Sequence, residues 1–190
     1  MQKIILASGS PRRRELLTQI GMPFEVITSD VKEVTTATQP DEIVKELSKI
    51  KAEAVAQICK EKGESYRDVV ILGADTIVYH NGKVLGKPKS EEDAYLMIES
   101  LAGKEHFVYT GVTILTPKKQ ICFAEAVTVS LYEMSAEEIK SYIATGEPMD
   151  KAVFMGRFAA FVKGISGDYN AVVGLPVARV YQELKNAEVL

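Results

Sequence analysis

The stretch Val69-Val70-Ile71-Leu72-Gly73-Ala74-Asp75-Thr76 is a continuous apolar run that ends in a carboxylate. Such a run is typical of a strand that is covered on both faces of a sheet. It therefore predicts a central strand over Val69 to Ala74, with Asp75 at its carboxyl end. Ligands of open α/β sheets bind beyond the carboxyl ends of the strands, so this point is a candidate site.

Toward the amino terminus, the pattern alternates between strand and helix. Lys3 to Ala7 predicts a buried first strand, and Pro11 to Gly21 predicts a helix with Ser10 as its N-cap. Phe24 to Thr28 predicts a second short strand, and Ser29 to Gln39 is polar and loop-like. This part of the chain therefore predicts a strand–helix–strand unit that precedes the central run.

A long amphipathic helix is predicted from Pro40 to Lys62, because apolar residues recur there at helical spacing. Its predicted buried stripe consists of Ile43, Leu47, Ile50, Ala54 and Ile58, with Val44 and Val55 beside it. After the central run, Asn81-Gly82 predicts a tight hairpin between Ile77–Tyr79 and Lys83–Leu85. A helix is then predicted from Ser90 to Leu101.

The remaining predicted elements are the strands Phe107–Leu115, Ile121–Leu131 and Phe158–Val162, and the helices Ala136–Ala144 and Pro176–Leu184. Strands and helices alternate first, and antiparallel hairpins follow. This mixture predicts an α/β fold with a twisted mixed sheet and helices on its faces. A length of 190 residues suits one such domain, or two lobes that share a cleft, with 46% hydrophobic residues available for a core.

The net charge of −3 argues against a protein that coats itself with nucleic acid or anionic lipid. An anionic ligand would therefore need a local cluster of positive charge. Cys59 and Cys122 lie far apart in apolar patterns, which predicts two buried thiols in a reducing cytoplasm. The apolar start of the chain is too short for a signal peptide or a membrane span, and this also predicts a cytoplasmic protein.

The turn from Ser8 to Arg14 is a candidate anion site. A strand leads through Ser8-Gly9-Ser10-Pro11 into a helix start, so free backbone N–H groups point toward one place. Arg12, Arg13 and Arg14 oppose the helix dipole there, at a cost of roughly 0.3–1 kcal/mol each in an isolated helix. The alternatives are a bound phosphate chain, which we favour, and a solvated basic turn.

Four other side chains have two interpretations each. Asp75 could hold a metal or orient a water, or it could cap a turn. Lys51 could extend along the apolar helix face to solvent, or its ammonium could project into a cleft beside a phosphate. Lys87, in Gly86-Lys87-Pro88, could do the same or belong to an ordinary turn. Glu33 could be a second metal ligand or a solvated charge.

Other chemistries lack their motifs. No His pair has metal-ligand spacing, and we interpret His106 as structural. The chain contains neither a P-loop motif ending in Lys-Ser/Thr nor a G-x-S-x-G elbow. Ser/His/Asp hydrolysis and P-loop chemistry are therefore unsupported.

Taken together, these segments resemble the Maf family of nucleotide pyrophosphatases. They keep the order of the family and cover nearly the whole chain. The matching segments are Leu6–Arg13 with Glu15–Leu17, Asp30–Glu33, Lys51-Ala52, Gly73–Thr76, Leu85–Pro88, His106 with Thr110–Val112, Glu147–Ala152, and Gly167–Tyr169 with Val173–Pro176.

The resemblance implies a fold like that of the inosine-triphosphatase group, as a single domain over residues 1–190 whose two lobes enclose a central cleft. It implies a Mg²⁺- or Mn²⁺-assisted attack of water on the α-phosphate of a nucleoside triphosphate, which releases pyrophosphate. Asp75 matches the catalytic acceptor of the family and, with Glu33, would hold the metal. The implied substrate-binding residues are Ser8, Arg12, Arg13, Lys51, Thr76 and Lys87. A homodimer is compatible with the resemblance.

Arg12 and Thr76 resemble the subgroup that acts on dTTP and UTP. One segment departs from the family: Val153-Phe154-Met155-Gly156 is three residues shorter and lacks the family's tyrosine and glutamine. Loss of an amide that reads the base predicts weaker base discrimination. It also motivates an alternative, a nucleotide-binding regulator of cell division that turns over poorly and acts through a protein partner.

Overall fold

The computed structural model describes residues 2–63, 69–150 and 156–190. The strands are β1 (Lys3–Leu6), β2 (Glu25–Val26), β3 (Val69–His80), β4 (Lys83–Leu85), β5 (Glu105–Leu115), β6 (Gln120–Leu131) and β7 (Val162–Ser166). The α-helices are α1 (Pro11–Gln19), α2 (Pro40–Glu61), α3 (Glu91–Leu101), α4 (Ala136–Ile143), α5 (Glu147–Asp150), α6 (Tyr169–Val173) and α7 (Val177–Asn186), and a 3₁₀ helix spans Gly156–Phe161.

The strands form one mixed sheet in the order β2-β1-β3-β5-β6-β7, and β4 also pairs with β3. β1 is parallel to β2 and β3, whereas the other pairings are antiparallel. The predicted fold class, a mixed α/β sheet with flanking helices, is confirmed. No helix in the described parts of the chain is both long and apolar enough to cross a membrane.

The central strand is longer than predicted. β3 runs without a break from Val69 to His80, so Asp75 lies in the middle of the strand and not at its end. The prediction was wrong because β5 pairs with β3 from Ile71 to Tyr79 and keeps the backbone extended past the carboxylate. A polar side chain in a strand does not stop the ladder when its neighbour supplies the hydrogen bonds.

The predicted buried stripe of α2 was also displaced. The buried residues of this helix are Pro40, Val44, Ser48, Ala52, Val55, Ala56 and Cys59, whereas the five predicted stripe residues are only partly buried. Most residues on the buried face of α2 are small because the helix packs directly against two glycines of the sheet. A Cβ on Gly73 would lie 2.9 Å from the Ala52 side chain, and one on Gly111 would collide with the Val44 carbonyl.

Two further predictions need correction, and two short helices were missed. The predicted strand from Phe158 to Val162 is largely the 3₁₀ helix, and β7 begins only at Val162. Both cysteines are free thiols, but Cys122 on β6 is exposed and only Cys59 is buried. The short helices α5 and α6 were not predicted, because a helix of one turn leaves little periodic signal. Of the departing segment, residues 153–155 lie outside the described residues.

Candidate active site

A gap in strand pairing along one edge of β3 locates the site. On that edge β1 pairs with β3 from Val69 to Leu72, and β4 pairs with it only from Val78. Between them, Gly73 to Ile77 are paired with β5 alone among the described strands. β1 ends at Leu6, and the chain then turns away into α1. Asp75 therefore lies beyond the carboxyl end of the neighbouring parallel strand β1, and not beyond the end of its own strand.

Asp75 and its neighbour Thr76 point to opposite faces of the sheet, because adjacent side chains of a strand alternate. Asp75 faces α2 and is 7% exposed. Its Oδ1 accepts a hydrogen bond of 2.6 Å from the Lys51 ammonium, which also lies 2.9 Å from Oε2 of Glu33. Lys51 therefore holds two carboxylates, one from the central strand and one from the loop that precedes α2.

On the other face, Thr76 meets a buried guanidinium. Nη2 of Arg13 donates to Oγ1 of Thr76 at 3.2 Å, and Nη1 donates to Oγ of Ser8 at 2.9 Å. Nε of Arg13 donates to the Gly174 carbonyl at 2.8 Å. Burial lowers the pKa of Arg13, and the nearby Asp75 carboxylate acts in the opposite direction. This arginine therefore links the turn after β1, the central strand and the end of α6.

The start of α1 is open to an anion. Ser10 occupies the N-cap position, but its side chain makes no capping hydrogen bond, and the first turn contains no acidic residue. The backbone N–H groups at such a helix end normally need a partner. Because the positive end of the helix dipole adds to them, this turn favours phosphate oxygens.

Both faces open into one cavity of about 520 Å³. Its charged lining consists of Arg12, Arg13, Glu33, Lys51 and Lys87, and Asp75 lies directly behind Lys51. Positive groups therefore outnumber negative ones here, although the chain as a whole carries a net charge of −3. The apolar part of the lining consists of Ile77, Val78, Val84, Leu85, Val108, Val172 and Val173. A ligand with a polyanionic part and an apolar part would match this lining.

The family model described as Maf-like protein matches residues 3–187 of the chain. The chain belongs to the Maf family. A dTTP/UTP pyrophosphatase of Agathobacter rectalis is 49% identical to it over 199 aligned residues, which cover 97% of each chain. A dTTP/UTP pyrophosphatase of Bacillus cereus is 46% identical over 193 residues, which cover 100% of this chain and 97% of the relative.

A third relative, a dTTP/UTP pyrophosphatase of Bacillus thuringiensis subsp. konkukian, is 48% identical over 189 aligned residues. The alignment covers 97% of this chain and 95% of the relative. Among solved structures, the Staphylococcus aureus Ham1 protein aligns over 70% of this chain and 73% of that one, with 14% identity and a TM-score of 0.48. A likeness of that size carries no argument about function.

The structure brings all of the predicted Maf site residues together. Those that line the cavity are Ser8, Arg12, Arg13, Glu33, Lys51, Thr76 and Lys87, and Asp75 contacts it through Lys51. The interpretation of Asp75 as a turn cap is excluded, and Lys51 takes the cleft-facing alternative. The roles of these residues in binding and catalysis remain predictions.

Sequence reasoning missed three groups of the site: the Thr110 hydroxyl and the carbonyls of Ala171 and Gly174. Thr110 and Gly174 lie in segments that resemble Maf proteins, but the sequence did not predict which residues they bond. No sequence spacing indicates that residues 61 to 161 positions apart share hydrogen bonds. The β3–β5 register places Thr110 opposite Thr76, and the tertiary packing of α6 brings Ala171 to Thr110 and Gly174 to Arg13.

Proposed function

We propose that this Maf-family chain hydrolyses dTTP and UTP to the nucleoside monophosphate and pyrophosphate. The observation that carries the proposal is the shared cavity, in which the cationic turn at Arg12 faces the Asp75–Lys51–Glu33 cluster. Relatives that are 46–49% identical over nearly their whole length are dTTP/UTP pyrophosphatases. The proposal also places the chain in the cytoplasm, where these substrates are available and thiols stay reduced.

The triphosphate would bind at the positive end of the cavity. The first backbone N–H groups of α1 offer donors, and Arg12 and Lys87 supply charge from two sides. Fixed positive groups stabilise the charge that develops on departing pyrophosphate, which is the main requirement of phosphoryl chemistry. Arg13 is already bonded to three protein oxygens, so it holds the shape of the turn while it faces the cavity.

Asp75 would orient the attacking water. The water oxygen bonds to the α-phosphorus, the bond from that phosphorus to the bridging oxygen breaks, and the water proton passes to the carboxylate. Lys51 keeps Oδ1 of Asp75 in one position through its 2.6 Å hydrogen bond. The water would then bond to the second carboxylate oxygen of Asp75.

A divalent cation fits the donors at this place. Asp75 and Glu33 already converge on the single positive charge of Lys51, and carboxylate oxygens are the ligands that Mg²⁺ and Mn²⁺ prefer. No group of three or more His, Cys, Asp or Glu residues suited to a metal occurs in the described parts of the chain. Two carboxylates with substrate phosphates and water are a usual set for Mg²⁺. Such an ion would supply charge neutralisation on the triphosphate.

The function is tested by incubating the purified chain with a panel of purine and pyrimidine triphosphates and measuring pyrophosphate. Release from dTTP and UTP in the presence of Mg²⁺ or Mn²⁺, and its loss after addition of EDTA, is expected. Tight nucleotide binding without release would instead support the regulator that acts through a protein partner. Release that persists in EDTA would contradict the role of the metal.

Asp75→Asn is expected to reduce turnover by about 10²- to 10⁴-fold, because the amide cannot accept the water proton. Asp41→Asn is the matched control, since Asp41 forms a similar ion pair with Lys45 on the exposed side of α2. Steady-state pyrophosphate release and thermal unfolding are measured for both variants. Equal turnover in the two folded variants would end the assignment of Asp75.

A further inference from the structure

Two bonded hydroxyl groups, a partly exposed one on Thr76 and a buried one on Thr110, extend from the site into the sheet. Oγ1 of Thr76 and Oγ1 of Thr110 lie 2.8 Å apart, and the Thr110 hydroxyl donates to the Ala171 carbonyl at 2.7 Å. Thr110 is completely buried on β5 and lies opposite Thr76 in the β3–β5 register. It lies one side chain behind the residues that line the cavity.

The single proton of each hydroxyl gives this hydrogen-bonded chain a direction. Thr110 uses its proton on the Ala171 carbonyl, so toward Thr76 it can only accept. Thr76 must therefore donate to Thr110, which leaves its lone pairs for the Nη2 donor of Arg13. The order is Arg13 to Thr76 to Thr110 to the Ala171 carbonyl, and every donor in it is matched with an acceptor.

The guanidinium of Arg13, at the donor end of this hydrogen-bonded chain, also bonds two other parts of the site. Arg13 also donates to Ser8 in the turn after β1 and to the Gly174 carbonyl at the end of α6. Thr110 thus bonds β5 to the middle of α6 at Ala171, and Arg13 bonds α1 to Gly174, the C-cap residue of α6. If Thr110 could not accept, the Thr76 hydroxyl would rotate to another acceptor, and Arg13 would lose a fixed partner.

We propose that Thr110 is a positioning residue for the reaction: through Thr76 it holds the Arg13 guanidinium, and with it the Ser8 turn, in the geometry that binds the triphosphate. This inference rests on the proposed function for its substrate. It assigns to Thr110 no contact with the nucleotide. Its effect on the reaction passes entirely through the hydroxyl of Thr76.

The test uses Thr110→Val, which keeps the shape of the side chain and removes the hydroxyl. Thr113→Val is the matched control, since Thr113 is also fully buried on β5 and its Oγ1 lies 2.8 Å from the hydroxyl of Ser48, on the opposite face. Each variant loses one buried hydroxyl group with two hydrogen bonds, so the unfolding temperatures are expected to fall by similar amounts. Only Thr110→Val is expected to lower kcat/KM for dTTP, by at least tenfold and mainly through KM.

Two further variants separate positioning from general destabilisation. Thr110→Ser keeps the hydroxyl and is expected to restore most of kcat/KM. Thr76→Val combined with Thr110→Val is expected to cost little more than Thr76→Val alone, because Thr110 acts only through the Thr76 hydroxyl. Equal kcat/KM for Thr110→Val and Thr113→Val, or additive losses in the double variant, would overturn the inference while the proposed function stands.

The two proposals can fail separately. Should the wild-type chain release no pyrophosphate from dTTP or UTP, the proposed function fails. The dTTP affinities of Thr110→Val and Thr113→Val, measured by titration calorimetry, then decide the inference. A tenfold weaker affinity confined to Thr110→Val would support it, and matching affinities would overturn it.

Discussion

Two cations of the site owe their positions to oxygen atoms from distant parts of the chain. Arg13 donates to Ser8, Thr76 and the Gly174 carbonyl, whereas Lys51 holds Asp75 and Glu33. A buried charge without such partners would cost several kcal/mol. The site is therefore pre-organised at the residue scale, since each cation already has a fixed direction before a phosphate arrives.

At the same scale, the pKa of the buried His106 gives a testable pH dependence of stability. It is fully buried on β5, and burial, with a smaller contribution from His80, lowers its pKa to about 4 from the usual 6.5. Between these values the unfolded chain binds a proton that the folded chain does not bind. The free energy of unfolding should therefore fall as the pH falls from 6.5 to 4, by about 1.4 kcal/mol per pH unit from this group.

His106→Gln removes this titration. The free energy of unfolding of the wild type, taken relative to that of the variant, should fall by about 3 kcal/mol between pH 7 and pH 4. Urea unfolding of both proteins at several pH values measures this difference. Above pH 7 the difference should be constant, because the imidazole is then neutral in both states. Parallel pH profiles for the two proteins would contradict the buried, neutral state of His106.

At the scale of elements, the close contact between α2 and the sheet controls the site. Lys51 lies on α2, and its partner Asp75 lies on β3, two residues after Gly73. Ser48 and Ala52 on α2 approach Gly73 so closely that no Cβ fits between them. The distance from Lys51 to Asp75 therefore depends on a glycine that takes no part in the chemistry.

Gly73→Ala is expected to destabilise the chain by about 1–3 kcal/mol and to lower pyrophosphate release, because α2 must move away from β3. Gly164→Ala is the control, since a Cβ on this β7 glycine would meet nothing within 4 Å. Urea unfolding and turnover of both variants check the prediction. A Gly73→Ala variant with wild-type stability and turnover would show that α2 can retreat without cost.

At the scale of the whole molecule, the long strands β3 and β5 contribute to three apolar clusters, two of which also line the cavity. One cluster combines β1, α1 and α7 with residues such as Leu72 and Ile114. The other combines α3 and α4 with residues such as Val78 and Val108, from the same strands β3 and β5. The cavity lining takes Val173 from the first cluster and Val78, Val108 and Val172 from the second, so the site borders both clusters, which share the strands β3 and β5.

This continuity predicts cooperative unfolding. Leu184→Ala in the first cluster and Ile98→Ala in the second each remove a fully buried side chain and should cost about 2–5 kcal/mol. Both variants should still unfold in a single transition, with equal calorimetric and van't Hoff enthalpies. A separate early transition in either variant would show that the two ends of the sheet fold independently.

The local pattern of the chain by itself determined the main helices and strands, the family and the set of candidate residues. Periodicity and turn chemistry are short-range signals, and they were sufficient for α1, for the length of α2 and for the hairpin at Asn81-Gly82. The resemblance to Maf proteins then indicated Asp75, Lys51 and Glu33 as site residues. Nothing in those signals says which residues touch.

The tertiary structure decided which residues touch and how they are oriented. β5 extends β3 past Asp75, and the gap between β1 and β4 opens this strand to the cavity. The glycines at 73 and 111 let α2 approach the sheet closely, and its buried face carries mainly small residues in place of the predicted large apolar ones. These outcomes depend on backbone approach and strand register between distant segments, which a local pattern does not encode.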